Sequence, residues 1–116
     1  MIKLYYSPRT RAVRVRWMLE ELGVPYELVR INLPEVTKLH PEYSDIHPHG
    51  AVPALQDGSL TLIESGAICT YLAEKYSGLI PAANSSERPL FWQWMFYGPG
   101  TFEAPFVSLF QQTRGL

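Results

Sequence analysis

The sequence predicts a small mixed α/β domain followed by the opening helix of a second, all-helical unit. Three observations carry this. Apolar runs of strand length alternate with stretches of helical period across residues 2–76, in the order β-α-β-(α)-β-β-α. A proline, Pro53, stands inside the strand-like run Val52–Gln56, and a proline that cannot donate to a ladder belongs at an edge or a special turn. Beyond Gly78 the composition shifts to a linker and then to a dense aromatic stretch.

The elements follow in order. Ile2–Tyr6 is a short β-type run ended by Ser7-Pro8, which favours a turn or a helix start. From Thr10 to Leu22 the period becomes helical. Val15, Met18, Leu19 and Leu22 form one stripe, and Arg11, Arg14, Arg16, Glu20 and Glu21 lie mostly off it. Gly23 and Pro25 stop that helix in the expected order. Tyr26–Leu33 alternates and reads as a second strand ending at Asn32-Leu33-Pro34. Residues 35–50 are polar and irregular, with a short helix predicted from Pro41 to about Ile46, proline being tolerated in a first turn. Val52–Gln56 and Ser59–Ile63 flank Asp57-Gly58, a strong hairpin signal. Ser65–Tyr76 is helical again, with Ile68, Leu72 and Tyr76 in register and Tyr71 beside them, and Gly78 ends it.

A strand, helix and strand in series imply a parallel pair with a right-handed crossover, and the hairpin adds antiparallel strands. This is a thioredoxin-like β-α-β-α-β-β-α domain over residues 1–77. A linker covers 78–88, and 89–116 open a truncated all-α domain with its first helix. Ser85 or Ser86 caps that helix, and Pro89 fits its first turn. Gly98-Pro99-Gly100 is expected to kink or break it, and Pro105 to do so again.

Composition narrows the function. The net charge of −1 makes no electrostatic case for nucleic acid or an anionic membrane. No apolar run is long enough to span a bilayer, and Met1 leads straight into strand-like sequence without a signal-type organisation, so the cytoplasm is the expected location. The single cysteine, Cys69, cannot form an intrachain disulfide and reads as a small core filler in the third helix. His40, His47 and His49 lack helical metal spacing and cysteine partners, so no metal is expected.

Three places carry chemistry and converge in such a fold. Where strand one meets helix one the chain reads Ser7-Pro8-Arg9-Thr10, with no Cys-x-x-Cys, so dithiol exchange has no chemical basis there and a dithiol oxidoreductase is not expected. A hydroxyl ahead of a helix N-terminus favours an anion, including the thiolate of a bound thiol; equally, Ser7 serves as a cap. At Val52-Pro53 a cis peptide turns the backbone of Val52 outward, toward an extended peptide; the alternative is an edge strand that tolerates proline. Glu64-Ser65 opens the third helix. Its functional reading is that Glu64 receives a ligand ammonium and Ser65 a ligand carboxylate, and its plain reading is a cap with dipole complementation. Together they suit a small peptide-like ligand held by its backbone and its charged amino-acid end.

The segments Tyr5-Tyr6-Ser7-Pro8, Trp17–Glu27, His47-Pro48-His49-Gly50-Ala51-Val52-Pro53-Ala54-Leu55 and Glu64-Ser65-Gly66-Ala67-Ile68-Cys69-Thr70-Tyr71-Leu72 together resemble the glutathione S-transferase family, in its bacterial serine-type or uncharacterised groups. The resemblance spans Met1 to Tyr76 as a glutathione-binding N-terminal domain, with the start of a helical domain from Leu79. It implies glutathione as co-substrate, a hydrophobic electrophile, and a homodimer. It implies that Val52, before a cis Pro53, bonds the cysteinyl backbone, that Glu64 and Ser65 hold the γ-glutamyl end, and that His40 or His49 approaches the glycyl carboxylate. Ser7 would lie nearest the sulfur, with Thr10 and Arg11 as rivals. The chain departs from the family at His47, where asparagine is common, and at Ala51, where lysine is frequent. It also reads as shorter than a family member, so the alternative to glutathione transfer is a non-catalytic binding or scaffold module, or an inactive truncated fragment. The aromatic run at 91–97 then packs a core, lines an acceptor pocket or meets a partner.

Overall fold

Side chains alternate along strand β1 (Ile2–Tyr6), and the sheet is covered on both of its faces. Ile2 and Leu4 enter one core, Tyr5 the other. The computed structural model describes residues 1–76 and 78–115. The expected boundary at residue 77 falls on Ser77, outside the described residues. The chain divides into two units, Met1–Leu79 and Ile80–Leu116.

In the first unit four strands make one sheet in the order β2-β1-β3-β4. β2 (Tyr26–Arg30) runs parallel to β1, with Ile2 opposite Tyr26. β3 (Ala54–Asp57) and β4 (Leu60–Ile63) form an antiparallel hairpin, and β3 lies antiparallel to β1. Helices α1 (Ala12–Leu22) and α3 (Ser65–Tyr76) bury Val15, Leu19, Ile68 and Leu72 against Ile2, Leu4 and Leu55. Each fully buried leucine here contributes about 2 kcal/mol of transfer free energy. On the other face Tyr5, Ala54, Ile31 and Tyr43 form a second core beneath residues 33–46.

The predicted order of elements is observed, and the boundaries differ for identifiable reasons. Helix α1 begins at Ala12 rather than Thr10, because Arg9 adopts φ 58° in a turn that the helix cannot contain. Strand β2 stops at Arg30 rather than Leu33. The Ile31 N–H still reaches the Tyr6 carbonyl at 2.8 Å, but β1 ends there and offers no further partner. The segment after it is a 3-10 turn (Leu33–Glu35), a short helix α2 (Val36–Leu39) and a second 3-10 turn (Pro41–Asp45), more helical than expected. Strand β3 starts at Ala54, past the proline, and the hairpin turns on Gly58-Ser59 rather than Asp57-Gly58. Asp57 stays in the ladder opposite Leu60 while its carboxylate receives Lys75 Nζ at 2.5 Å and the Tyr71 hydroxyl at 2.8 Å. Gly58 carries φ 60°, as the first central residue of a II′ turn requires. Tyr76, expected in the core register, is 39% exposed at the end of α3.

In the second unit helix α4 (Arg88–Tyr97) has Glu87 at its N-cap and no side-chain cap hydrogen bond, so neither Ser85 nor Ser86 caps it as expected; Ser85 Oγ instead accepts the Glu87 N–H at 3.2 Å in the turn before the helix. The expected kink or break at Gly98-Pro99-Gly100 takes the form of one π-helical turn, Gly98–Phe102, which leads into α5 (Glu103–Thr113). The wider turn makes room for the proline ring, and the Glu103 N–H closes it on the Gly98 carbonyl. Pro105 falls in the first turn of α5, where its missing N–H is tolerated. Trp94, Phe96, Phe102 and Phe106 are all more than half exposed. Pro81, Leu90, Phe91, Trp94 and Met95 line a shallow, largely apolar recess of about 430 Å³.

Candidate functional site

Register brings the predicted residues to one end of the sheet. Tyr5 lies opposite Ala54, and Ala54 opposite Ile63, so these three form a row across β1, β3 and β4. One step beyond that row the three strands end: β1 runs on through Tyr6 into Ser7, β3 is preceded by Val52-Pro53, and β4 is followed by Glu64-Ser65. The Val52-Pro53 peptide is cis, the alternative that the family resemblance implied. The N-termini of α1 and α3 meet at the same end, where the Arg14 guanidinium donates to Ser65 Oγ at 3.3 Å.

At the end of β1 two hydroxyls differ sharply. Thr10 Oγ1 donates to the Ser7 carbonyl at 2.6 Å and accepts the Ala12 N–H at 3.3 Å, so it closes the turn and satisfies a helix-start donor. Among the described residues nothing engages the Ser7 hydroxyl, and no side chain at residue 11 caps α1. Arg11 is exposed at the N-cap position of α1, next to Thr10. The helix-start contact thus belongs to Thr10, one residue ahead of the N-cap, and among the described residues the Ser7 hydroxyl has no partner.

Ahead of Pro53 the chain is anchored from below. Tyr43 is 1% exposed, packs on the Tyr5 ring at 5.4 Å, and donates its hydroxyl to the Ala51 carbonyl at 2.8 Å. Burial pushes the Tyr43 pKa up, which keeps that donor protonated. His47 is buried, and its Nδ1 accepts the His49 N–H at 3.2 Å. Burial and the neighbouring His49 lower the His47 pKa, against a smaller opposing pull from Glu64. Val52 lies outside the ladder, and among the described residues neither its N–H nor its C=O has a partner. The His49 side chain is exposed, and His40 is half-buried with Nε2 accepting the Asn32 N–H at 3.3 Å.

Glu64 adopts φ 74°, the left-handed region that a residue with a Cβ rarely occupies. Its carbonyl accepts the Ile68 N–H at 3.0 Å and so starts α3. Strain of this kind gathers where a backbone is held for a ligand. Cys69, one turn into α3, is packed against the core, and burial raises its thiol pKa, so it is no ready nucleophile.

Three residues of this end were not singled out by sequence reasoning. Arg14 reads as part of a solvated arginine face. Tyr43 sits in a polar, irregular segment with no period to mark it, although an aromatic there is itself a signal. His47 stands out in the sequence only as one of three loop histidines without metal spacing and as a departure from family usage. Among the described residues no group of three or more histidine, cysteine or acidic side chains is placed to hold a metal ion.

Comparison with known proteins shows the family to which this fold belongs. A family profile described as the glutathione S-transferase N-terminal domain matches residues 2–74. The chain is 36% identical over 107 residues to disulfide-bond oxidoreductase YfcG of Escherichia coli (strain K12), an alignment covering 86% of this chain and 49% of that protein. Its fold matches the theta class glutathione S-transferase of Xanthomonas axonopodis pv. citri, solved with glutathione bound, at TM-score 0.82 and 38% identity over 95% of this chain and 54% of that one. A glutathione transferase family member from Pseudomonas fluorescens pf-5, solved with two glutathione bound, matches at TM-score 0.75 and 37% identity, covering 85% and 46%. The chain spans about half the length of the relatives it matches. A thioredoxin-like sheet with this proline, matched over 2–74 to that profile, makes the chain a member of the glutathione S-transferase family, an enzyme family, through its N-terminal domain.

Proposed function

We propose that this chain binds glutathione at the strand ends and activates its thiol for attack on an electrophilic small molecule. Val52 offers its N–H and C=O to the cysteinyl backbone. Glu64 receives the γ-glutamyl ammonium, and Ser65 with the first N–H groups of α3 receives the γ-glutamyl carboxylate. His40 or His49 approaches the glycyl carboxylate. The Ser7 hydroxyl donates to the sulfur ahead of α1, which favours the thiolate and lowers its pKa. The thiol proton leaves to solvent, the S–C bond forms, and the displaced pair departs with the leaving group or moves onto the electrophile. Thr10 and Arg11 support this end, Thr10 by holding the turn.

The observation that carries the reading is that, at one sheet end, the Val52 backbone and the Ser7 hydroxyl both lack partners among the described residues. Relatives solved with glutathione bound support it. The apolar recess of the second unit supports a hydrophobic electrophile, and the exposed Trp94, Phe96 and Phe106 support a homodimer. A single, partly buried, neutral thiol suits the cytoplasm. Calorimetric titration with glutathione and an electrophile panel test the proposal on this chain. Saturable binding with product formation is expected, and absence of binding would refute it.

A second reading has its own support. The relative named a disulfide-bond oxidoreductase and the neighbour holding two glutathione suggest thiol–disulfide exchange with both thiols supplied by ligand. Two glutathione thiols would reduce one substrate disulfide to two thiols and leave glutathione disulfide, with no protein cysteine oxidised. Missing Cys-x-x-Cys chemistry excludes only the protein-borne version. Assaying a model disulfide beside the electrophile panel separates the two.

A further inference from the structure

We propose that His47 is a positioning residue for the Val52 backbone, and that protonating its Nδ1 loosens residues 47–52 and releases glutathione. The inference rests on the reading that Val52 receives the ligand. Four hydrogen bonds fold this segment: the His47 N–H to the Tyr43 carbonyl at 2.8 Å, the Gly50 N–H to the His47 carbonyl at 2.9 Å, the Tyr43 hydroxyl to the Ala51 carbonyl at 2.8 Å, and the His49 N–H to His47 Nδ1 at 3.2 Å. Only the last has an acceptor that titrates near neutral pH. Gly50 holds φ 62°, a left-handed backbone that this turn requires, and Val36 Cγ1 lies on its Cβ side.

A neutral imidazole with Nδ1 as acceptor carries its proton on Nε2. Protonation turns Nδ1 into a donor aimed at the His49 N–H, a second donor, and places a charge on a side chain that is 6% exposed. The groups facing His47 are Tyr43, whose ring lies 6.4 Å away, His49, whose ring lies 6.1 Å away, and Glu64 from the β4–α3 junction. Glu64 favours the imidazolium, while burial and His49 oppose it and prevail, in line with the lowered His47 pKa. The neutral, segment-holding form is therefore the resting form. The charged form appears as pH falls below the ordinary imidazole value of about 6.5.

The test compares wild type with His47→Asn, whose amide oxygen accepts the same N–H but does not titrate. His40 and His49 remain in both proteins. From about pH 7.5 to 5.5 glutathione affinity should weaken about three- to tenfold in wild type, as the competent fraction falls, and less than about twofold in His47→Asn. In ligand-free protein the Val52 amide resonance should shift with a midpoint below about 6.5 in wild type and stay still in His47→Asn. Equal pH dependence in the two proteins, or a still Val52 amide in wild type, overturns the proposal. A chain that binds no glutathione at any pH refutes the proposed function instead, and the amide titration then decides the switch.

Discussion

Thr10 spends its only hydroxyl proton on the Ser7 carbonyl, 2.6 Å away. The two hydroxyls at the end of β1 therefore have different work: Thr10 shapes the turn, and Ser7 is left with a proton to give.

Ser7→Ala should leave glutathione affinity nearly unchanged and raise the pKa of the bound thiol by about 1 unit, equivalent to ~1.4 kcal/mol. Thr10→Val should lower stability by about 1 kcal/mol through the lost helix-start and turn bonds, with a smaller effect on the thiol. Thiolate absorbance against pH and chemical denaturation read both. The reverse pattern would move the sulfur contact to Thr10.

Glu64→Gly removes a side chain at φ 74°. Relief of roughly 1 kcal/mol of left-handed strain offsets the greater freedom glycine has in the unfolded chain, so the midpoint of thermal unfolding should hold or rise. Glutathione affinity should fall by about tenfold or more with the lost carboxylate, taking the ammonium contact as worth ~1.5–3 kcal/mol. A destabilised variant that binds normally would show that Glu64 is held for the fold alone.

Tyr43→Phe keeps the ring against Tyr5 but deletes the bond to Ala51. The Ala51 carbonyl, in a partly buried bond, then loses its partner, and we expect about 1 kcal/mol of destabilisation. Amide exchange should quicken across residues 47–52 more than in α3. Uniform quickening would mean that Tyr43 supports the whole core and not this segment in particular.

Hydrogen bonds from Lys75 and then Tyr71 hold the Asp57 carboxyl below the ordinary carboxylate range, against a smaller upward effect of burial. Its folded pKa thus lies below its unfolded pKa. The stabilisation is complete above the unfolded value of about 3.9 and is lost as pH falls through the folded one. Asp57→Asn should be less stable at neutral pH and show a shallower loss between about pH 4 and 2. Urea midpoints at stepped pH would reveal an unchanged slope if the Asp57–Lys75–Tyr71 cluster does not act in this way.

Much of the first unit was legible because its signals are local. The stripe of Val15 and Leu19, the αL glycine at 23 with φ 64°, and the Ile68–Leu72 spacing each report on a few neighbouring residues. Boundaries were less legible where a neighbouring strand decides them. Tyr26–Leu33 alternates for longer than β1 can pair with it, so the strand stops at Arg30. Gly98-Pro99-Gly100 reads as a breaker because proline lacks a donor, yet one wider turn absorbs it without ending the helical path.

By itself the sequence determined the kinds of element, their order, and the residue types that would end up at the strand termini: a hydroxyl at 7, a cis proline at 53, an acid and a hydroxyl at 64 and 65. Those follow from periodicity, turn chemistry and resemblance, which act over a few positions. The tertiary structure alone decided which of these groups remain unengaged. Arg14 and Ser65 are 51 positions apart and meet through helix packing, and the Thr10 proton is spent on Ser7 through a turn whose geometry depends on Arg9 at φ 58°. Hydrogen-bond partnership depends on distance and angle to within a few tenths of an ångström, and no spacing along a chain encodes that.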